Sequence, residues 1–521
     1  MLILKRSIEL FLITGLLVAC GVNPVTGDRE IQWISTAQEI EIGKQNYLPA
    51  RQVQGGDYVV DRDISLYVTG VMERVAEASV KVNADQNRKL PYEIEVINSS
   101  VPNAWAMPGG KMAINRGLLT ELNSEAELAA VLGHELVHAA ARHGAKAQER
   151  GMLMQGGLLA TQIAASGSRY GNLIAGGAMV SAQLVSTKYG RSAELQSDLY
   201  GMRYMVEAGY NPQAAVDLQQ TFVRLSEGRQ TNWLEGLFAS HPPSAERVAR
   251  NRETAAELGG SDLEYGREKY KRAIASLTRD QDAYAAHDEA LKAAAKDKDY
   301  KTANSLANKA IGLQPKEPKF YGLKGDIALN DKKFKTAVTN YDKAINLYPE
   351  YFAFYLNKGY AKQELGDKRG AKLAFEKSNS IVPTPNAQKA LGDLALASGD
   401  KSTALKYFSS AARSNSPVGK QALSSMTRLE LPQNPEKYVK TRLALNDEGR
   451  IVVQVHNQAP VPVKNVQVIT AYFDGVGNQV SRTQTLSVNG TLAAGARTTI
   501  TTRITDGNGL RAQVSKAAVA D

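Results

Sequence analysis

Residues 130–139 read Ala130-Val131-Leu132-Gly133-His134-Glu135-Leu136-Val137-His138-Ala139, an apolar segment in which two histidines lie four residues apart. Four residues make a little more than one turn of an α-helix, so His134 and His138 project from the same face and can bind one metal ion. Glu135 lies about 100° further round the helix, beside that ion rather than opposite it. The segment therefore predicts a helix that carries a metal site.

The His-Glu-x-x-His spacing is typical of zinc metallopeptidases, in which the imidazoles hold Zn²⁺ and the glutamate is the general base for the attacking water. The chain contains only six histidines in 521 residues, so a chance match to this spacing is rare. We therefore predict one zinc ion per chain as the cofactor, with Glu135 as the base.

The ends of this helix are also marked in the sequence. Ser124 and Glu127 have the spacing of a capping box at its start, and Gly144 suits a C-cap at its end. His143 then falls in the last turn, about 12 Å along the axis from Glu135. It is predicted to be too far away to bind the same ion and to interact with the helix C-terminus instead.

A second predicted helix, over residues 189–201, carries Glu194 and Asp198 four residues apart. A catalytic zinc needs three protein ligands and an open position, so Glu194 is the candidate third ligand. Asp198 can accept a hydrogen bond from a ligand histidine and fix its tautomer. Such a pair alone is usually a solvated helix face, but a zinc helix in the same domain favours the metal interpretation.

His241 lies in the rigid segment Ser240-His241-Pro242-Pro243. It can polarise the substrate carbonyl or stabilise an oxyanion, which would make it catalytic. Alternatively it occupies the open zinc position and keeps the enzyme closed, or it is a packing histidine without a functional role.

A strand just before a zinc helix often pairs with extended substrate through main-chain hydrogen bonds. The candidate for this substrate-binding edge consists of Lys111, Met112, Ala113, Ile114 and Asn115. The alternative is an ordinary hairpin around the Pro108-Gly109-Gly110 turn. Residues 151–187 are rich in glycine, alanine and serine, which suits closely packed core helices or a lid over the active site.

The N-terminus has the pattern of a bacterial lipoprotein. Lys5 and Arg6 precede an apolar run over residues 10–19, which has the length of a signal-peptide core and is too short to span a bilayer. The run ends at Cys20, the only cysteine, so no internal disulfide can form and Cys20 is the predicted lipidation site. We expect a periplasmic, lipid-anchored protein, and Gly21 favours sorting to the outer membrane. A plain secreted chain or an uncleaved anchor is the alternative.

The net charge of +10 does not indicate nucleic-acid binding, because the lysines are scattered at helical spacing rather than gathered in a stripe. From residue 283 the sequence instead repeats every 34 residues, as the prolines Pro315, Pro349, Pro383 and Pro417 show. Small residues precede each proline by twelve or thirteen positions, and an alanine or aromatic residue follows each small residue by four. This period is typical of tetratricopeptide repeats, which stack into a solenoid that holds peptides or partner proteins.

Residues 436–521 change to short alternating segments separated by turn signals such as Asp474-Gly475 and Asn489-Gly490. We expect an all-β, immunoglobulin-like sandwich. His287, on a repeat helix, and His456, on a strand, have no metal-binding partners in the sequence.

Four motifs together resemble the gluzincin family of HtpX and the CAAX prenyl endopeptidases, in particular its periplasmic lipoprotein members that carry tetratricopeptide repeats. They are Gly133-His134-Glu135-Leu136-Val137-His138, Glu194-Leu195-Gln196-Ser197-Asp198, Ser240-His241-Pro242, and the Pro-Asn-Ala-x-Ala-x-Pro-Gly-Gly segment at 102–110. The resemblance covers about residues 20–265. It implies that His134, His138 and Glu194 bind zinc, that Glu135 is the base and that His241 lies in the active site.

The predicted fold is therefore multidomain. A signal peptide over 1–19 precedes a mostly α, zincin-like peptidase domain with a small β-sheet over 20–270, an α-solenoid over 283–430 and the β-sandwich over 436–521. The predicted function is zinc-dependent endopeptidase activity on misfolded or misassembled envelope proteins, as quality control. The rival is a repeat-based chaperone or scaffold for outer-membrane protein assembly, with a latent or structural zinc site. Either protein would meet the outer-membrane assembly machinery through its repeats.

Overall fold

The computed structural model describes residues 20–85, 88–150, 189–227, 236–473, 479–504 and 507–520. The predicted signal peptide and the glycine-rich residues 151–187 lie outside the described residues, as does the side chain of Cys20. The chain divides into two compact units, Met1–Gly366 and Asp367–Asp521. This division falls inside the predicted repeats rather than at a predicted domain boundary. None of the described helices is long and apolar enough to cross a membrane.

The peptidase part of the first unit combines short strands with longer helices. The strands are β1 (Cys20–Val22), β2 (Arg29–Ile31), β3 (Glu93–Ile97), β4 (Ala104–Met107) and β5 (Lys111–Asn115). The helices are α1 (Thr36–Val53), α2 (Arg62–Val82), α3 (Arg116–Leu119), α4 (Glu125–Ala140), α5 (Arg191–Glu207), α6 (Gln213–Glu227), α7 (Leu237–Ser240), α8 (Ala245–Leu258), α9 (Arg267–Ala273) and α10 (Ala275–Arg279).

The His-Glu-x-x-His helix α4 is buried along its entire length and is the centre of the largest apolar core. Its N-cap is Ser124, whose hydroxyl accepts a hydrogen bond from the Glu127 backbone N–H at 3.1 Å, as predicted. The carboxylate of Glu127 reaches the backbone N–H of Asn123 rather than that of Ser124. The helix ends at Ala140, earlier than predicted, because Arg142 adopts a left-handed conformation with φ 61°.

The small sheet contradicts one prediction. Its strand order is β3-β5-β4, with β3 parallel to β5 and β4 antiparallel to it. Residues Lys111–Asn115 therefore form the central strand, and both of their backbone edges are already paired. The prediction that they form the substrate-binding edge is wrong. Their second edge is paired in parallel with residues 93–97, which precede the hairpin. The local sequence does not reveal that pairing.

Repeat helices continue the first unit and pack against the peptidase part. They are α11 (Gln281–Lys292), α12 (Tyr300–Leu313), α13 (Pro318–Asn330), α14 (Phe334–Leu347) and α15 (Phe352–Glu364). Tyr348 lies between the two parts, with its hydroxyl 3.2 Å from Asp57 Oδ2, and Gln52 Oε1 accepts a hydrogen bond from the Phe352 backbone at 3.0 Å. These contacts fix the first repeats on the peptidase domain.

The predicted repeat positions are buried as a tetratricopeptide stack requires. Ala337 and Tyr341 are fully buried, and a Cβ added to Gly325 would lie 2.4 Å from the Tyr341 ring. Only glycine therefore leaves room for the aromatic side chain of the paired helix. The second unit repeats this arrangement with Gly392 and Phe408, and it contains α16 (Lys368–Ile381), α17 (Pro385–Ala397), α18 (Lys401–Ala411), α19 (Pro417–Glu430) and α20 (Pro435–Tyr438).

The C-terminal strands form two open antiparallel sheets around one apolar core. The first has the order β11-β7-β6, and in the second β8 pairs with β9, β10 and β12. These sheets confirm an all-β region but not an immunoglobulin-like sandwich. The sequence of β12 is a weak signal for a strand, since its alanines and lysine have low strand propensity. The strands are β6 (Val439–Leu445), β7 (Ile451–Asn457), β8 (Val463–Phe473), β9 (Gln479–Ser487), β10 (Thr491–Leu492), β11 (Arg497–Thr501) and β12 (Leu510–Val519).

Candidate metal centre and active site

The two histidines of α4 converge as their spacing predicts. Their rings lie 4.7 Å apart, and the two Nε2 atoms are separated by 3.0 Å. His138 is 1% exposed and His134 is 9% exposed, so both imidazoles are held inside the protein with their Nε2 atoms facing a common point.

Helix α5 brings Glu194 to the same point. Its Oε2 lies 3.5 Å from His134 Nε2, and its Oε1 lies 3.4 Å from His138 Nε2. Burial would raise the pKa of Glu194, but the His241 and His134 imidazoles outweigh burial and lower it. A buried carboxylate that stays ionised beside imidazoles is the donor that a divalent cation requires.

A close approach of two helix backbones sets this distance. A Cβ added to Gly133 would lie 3.0 Å from the Gly201 carbonyl oxygen, and one added to Gly201 would lie 3.0 Å from the His134 backbone nitrogen. Because neither glycine has a side chain, α4 and α5 come close enough for Glu194 to reach the histidines. The sequence analysis assigned no role to Gly201. It lies seven residues, about two helical turns, after Glu194 and therefore on the same face of α5.

Asp198 and Arg247 hold the ligands in place. Asp198 Oδ1 lies 2.9 Å from His134 Nδ1, the contact expected of a carboxylate that leaves Nε2 of the histidine free for a metal ion. Arg247 donates two hydrogen bonds of 2.7 Å to Asp198, and its Nη1 lies 2.9 Å from Glu194 Oε2. Burial lowers the pKa of His134, but the Glu194 and Asp198 carboxylates outweigh it and raise that pKa to about 9.

His143 has a different position from the one predicted. The early end of α4 lets the chain fold back, which places His143 Nδ1 2.9 Å from His138 Nδ1. His143 Nε2 lies 2.6 Å from Gln196 Oε1, on the helix that carries Glu194. Burial lowers the pKa of His143 to about 4, so it is neutral near pH 7 and is not a cation that stabilises the helix C-terminus. It orients His138 rather than binding the ion, since the shared contact uses the Nδ1 atom of His138.

Tyr189 is a further site residue that sequence reasoning missed. Its ring stacks on His138 with centroids 3.8 Å apart, and its hydroxyl lies 3.5 Å from the carbonyl oxygen of Ala106 in β4. It follows the glycine-rich residues directly, and no pattern in the sequence distinguishes it from other tyrosines.

His241 lies among the ligands and touches the predicted base. Its Nδ1 is 3.1 Å from Glu194 Oε1 and 3.3 Å from His134 Nε2, and its Nε2 is 3.4 Å from Glu135 Oε1. Glu135 is 2% exposed, and its Oε2 accepts no hydrogen bond from the described residues. Burial raises the pKa of Glu135, and the neighbouring imidazoles offset only part of that shift. His241 is therefore part of the site and not a remote packing histidine.

The donor set suits zinc. The candidate ligand atoms of His134, His138, Glu194 and His241 all lie within 4.8 Å of one another. Imidazole nitrogen and carboxylate oxygen are the donors found in catalytic zinc sites. The Oε2 of Glu135 beside this cluster is buried and has no hydrogen-bond partner among the described residues. A cavity of about 40 Å³ adjoins the cluster, and its apolar wall is formed by Met202, Leu218, Phe222 and Leu237.

Comparison with known proteins agrees with this geometry. Residues 65–255 match the model of peptidase family M48, and residues 318–351 and 352–384 match that of the tetratricopeptide repeat. The mitochondrial metalloendopeptidase OMA1 of Schizosaccharomyces pombe is 32% identical over 196 residues, which are 37% of this chain and 53% of the relative. The metalloprotease YcaL of Escherichia coli is 32% identical over 172 residues, 32% of this chain and 63% of the relative.

The beta-barrel assembly-enhancing protease of Escherichia coli is 26% identical over 236 residues, 43% of this chain and 45% of the relative. The chain thus spans about half the length of the curated relatives it matches. These matches confirm the resemblance drawn from the four sequence motifs. Residues 65–255 are thus similar to the metalloproteases of peptidase family M48, a zinc-dependent family, and the cluster supplies donors that could bind such an ion.

Proposed function

We propose that this chain is a zinc-dependent endopeptidase of the bacterial cell envelope that degrades misfolded or misassembled envelope proteins. The observation that carries the proposal is the convergence of His134, His138 and Glu194 on one point, with the carboxylate of Glu135 beside it. The lipoprotein pattern at Cys20 and the relative named beta-barrel assembly-enhancing protease support the envelope location. The repeats support protein substrates, because stacked helix pairs present extended binding surfaces.

The site residues divide the chemistry of peptide hydrolysis among themselves. Bound zinc supplies Lewis acidity, which polarises a peptide carbonyl and makes water more acidic. Glu135 takes a proton from the attacking water and passes it to the leaving amine. Its raised pKa suits this task, because a base works best when its pKa approaches the operating pH. His134 is kept in the required tautomer by Asp198, and His138 is held by His143 and Tyr189.

His241 is proposed to hold the resting enzyme closed. In its observed position it completes a set of four candidate ligands, and a zinc ion held by all four would have no open position for substrate. Movement of His241 away from Glu194 would open that position and leave its imidazole near the substrate carbonyl, where it can stabilise an oxyanion.

A zinc-binding hydroxamate inhibitor tests this role. The variant His241→Ala should bind the inhibitor more tightly than the wild type, because the fourth position is already open. Its hydrolysis rate should fall, because the oxyanion partner is missing. Unchanged inhibitor affinity would contradict closure by His241, and an unchanged rate would contradict the oxyanion role.

Substrate pairing is proposed for the outer edge of β4, which replaces the rejected candidate β5. The carbonyl of Asn103 accepts a hydrogen bond from Asn115, so residues 103, 105 and 107 direct their backbone groups towards β5. The backbone N–H and C=O groups of Ala104 and Ala106 then point away from β5. The Tyr189 hydroxyl contacts the Ala106 carbonyl oxygen on this side of the strand. Peptide substrates methylated at single backbone nitrogens should lose cleavage at alternate positions, and a loss without that two-residue period would contradict strand pairing.

The catalytic proposal is tested by Glu135→Gln, with the exposed Glu121→Gln as a matched control. The first variant should retain its zinc and lose proteolysis, and the second should retain both. Fragments of envelope proteins should accumulate in cells that contain wild-type chain and be absent with Glu135→Gln. Hydrolysis by the purified Glu135→Gln variant at the wild-type rate would refute the proposed mechanism.

The second candidate is a chaperone or scaffold for outer-membrane protein assembly with a latent zinc site. Two observations favour keeping it: the repeat helices contact the peptidase part, and His241 lies in the cluster of candidate metal ligands. Cellular function that survives Glu135→Gln would support this candidate. Removal of residues 283–430 cannot separate the two, since Phe320 of the repeats belongs to the peptidase core.

A further inference from the structure

A second cavity lies between the peptidase sheet and the first repeat helices, and none of its lining residues belongs to the metal cluster. Its volume is about 280 Å³, many times the roughly 15 Å³ that one water molecule requires. Both parts of the first unit contribute to its wall: Ser100 and Arg116 come from the peptidase part, and Tyr284, Asp288 and Lys319 come from the repeats. Two cations and one carboxylate thus face the cavity.

Arg116 is a buried cation that forms no ion pair with any residue in the described ranges. Its side chain is 5% exposed, and its guanidinium carbon lies 3.4 Å from the centroid of the Tyr284 ring. Nε donates to Asn98 Oδ1 at 2.9 Å and Nη2 donates to Ser100 Oγ at 2.6 Å. Nη1 makes no hydrogen bond to any residue that the structure describes. The contacts fix the plane of the guanidinium and leave one edge of it available.

Lys319 is the second cation and is partly buried. Its Nζ donates one hydrogen bond of 2.9 Å, to the backbone carbonyl of Asn98, and forms no ion pair within the described part of the chain. Burial lowers the pKa of Lys319 to about 8, and burial also lowers the pKa of Arg116. Both cations are thus partly desolvated, and each keeps N–H donors that no described residue accepts from.

The nearby carboxylates are hydrogen-bonded to neutral partners, and Ser100 is one of the partners of Asp288. Glu317 is fully buried, and its oxygens accept hydrogen bonds from Asn98, Tyr284 and the Lys319 backbone. Asp288 Oδ1 lies 3.0 Å from His287 Nδ1. Neither carboxylate lies within 4.0 Å of a cationic nitrogen of Arg116 or Lys319. The wall itself therefore carries two cations and one carboxylate, while Glu317 lies behind it and is held by Asn98 and Tyr284.

We propose that this cavity binds a small oxyanion, a carboxylate or phosphate group, through Arg116 and Lys319. The planar guanidinium suits both groups, because its parallel N–H donors match two oxygens of either one. A lysine ammonium beside it adds a second charge-assisted hydrogen bond. The bound anion would join residues of both parts of the first unit, so it would strengthen the attachment of the repeats to the peptidase domain.

The test measures binding of inorganic phosphate and of succinate to the full chain by isothermal titration calorimetry, with chloride at matched ionic strength as reference. The variant is Lys319→Gln, and the matched control is Lys316→Gln, an exposed lysine of the same segment. At least one anion should bind with a dissociation constant of millimolar or tighter. Lys319→Gln should weaken that binding at least tenfold, whereas Lys316→Gln should leave it within twofold.

The Lys319→Gln variant also distinguishes this cavity from the metal centre. An anion bound at the metal centre would bind equally well to this variant and to the wild type. Tighter binding of phosphate assigns a phosphate group to the cavity, and tighter binding of succinate assigns a carboxylate; either result supports the proposal. Absence of binding by both anions, or equal binding by Lys319→Gln and the wild type, would overturn it.

Discussion

Replacing Arg247 by lysine should weaken zinc binding although the positive charge is kept. Arg247 uses three nitrogens at once, two on Asp198 at 2.7 Å and one on Glu194 at 2.9 Å, and all three side chains are less than 7% exposed. A lysine ammonium is a single point and cannot reproduce this fork. About two charge-assisted hydrogen bonds are lost, at about 1.5–3 kcal/mol each, shared between folding and metal binding.

Part of that loss reaches the metal, because Asp198 orients the ligand His134 and Arg247 also holds the ligand Glu194. Removing such outer partners typically weakens metal binding 10–100-fold, which corresponds to about 1.4–2.7 kcal/mol. Competition with a chelator of known zinc affinity measures the effect directly. The control is Arg250→Lys, three residues further along α8 and exposed to solvent. Zinc affinity of folded Arg247→Lys within threefold of the control would refute the reasoning.

Three further results follow from the site. His143→Ala should weaken zinc binding about tenfold in the same competition assay, because His138 loses the partner of its Nδ1 atom; wild-type affinity would contradict this. Gly201→Ala should lower zinc content, because its Cβ would lie 3.0 Å from the His134 backbone nitrogen, whereas Gly190→Ala meets nothing within 4 Å and should be neutral. Zinc binding at pH 7 should release about one proton, because the pKa of His134 without metal is about 9. Calorimetry in buffers of different ionisation enthalpy measures that proton, and zero release would be inconsistent with the raised pKa.

The same pKa sets the sign of a pH effect on the metal-free protein. The pKa of His134 is raised from 6.5 in the unfolded chain to about 9 in the folded one. Its contribution to stability is therefore complete below pH 6.5 and is lost as the pH rises through about 9.

Much of the site could be predicted because its key spacings are local. His134 and His138 share a helix face by periodicity alone, and the Glu-x-x-x-Asp spacing placed Glu194 and Asp198 on one face of a second helix. The structure brings all four together. The repeats could also be predicted from sequence. Their 34-residue period is visible directly, and each glycine packs against an aromatic ring of the neighbouring helix, which is close in sequence.

The features that sequence could not give depend on distant pairing or on backbone detail. The position of β5 in the middle of its sheet depends on a parallel partner from residues 93–97. The contact between His143 and His138 exists because Arg142 adopts a left-handed backbone conformation. An arginine at this position does not predict such a conformation. Arg247 lies 49 residues from Asp198 along the chain, and only the packing of α8 against α5 joins them.

The charges of the site explain why these residues belong together. Glu135, Glu194 and Asp198 bring three negative charges into a buried space, and Arg247 supplies one positive charge. With neutral imidazoles, a dication makes the sum zero. Without metal, the protein approaches neutrality by binding protons, which is the direction of the raised pKa values of His134 and Glu135. Burial of uncompensated charge is costly, so a metal ion and protons compete to neutralise the excess negative charge of the three carboxylates. The ligand helices are therefore arranged for a divalent ion, and zinc affinity should fall with decreasing pH as protons replace the ion.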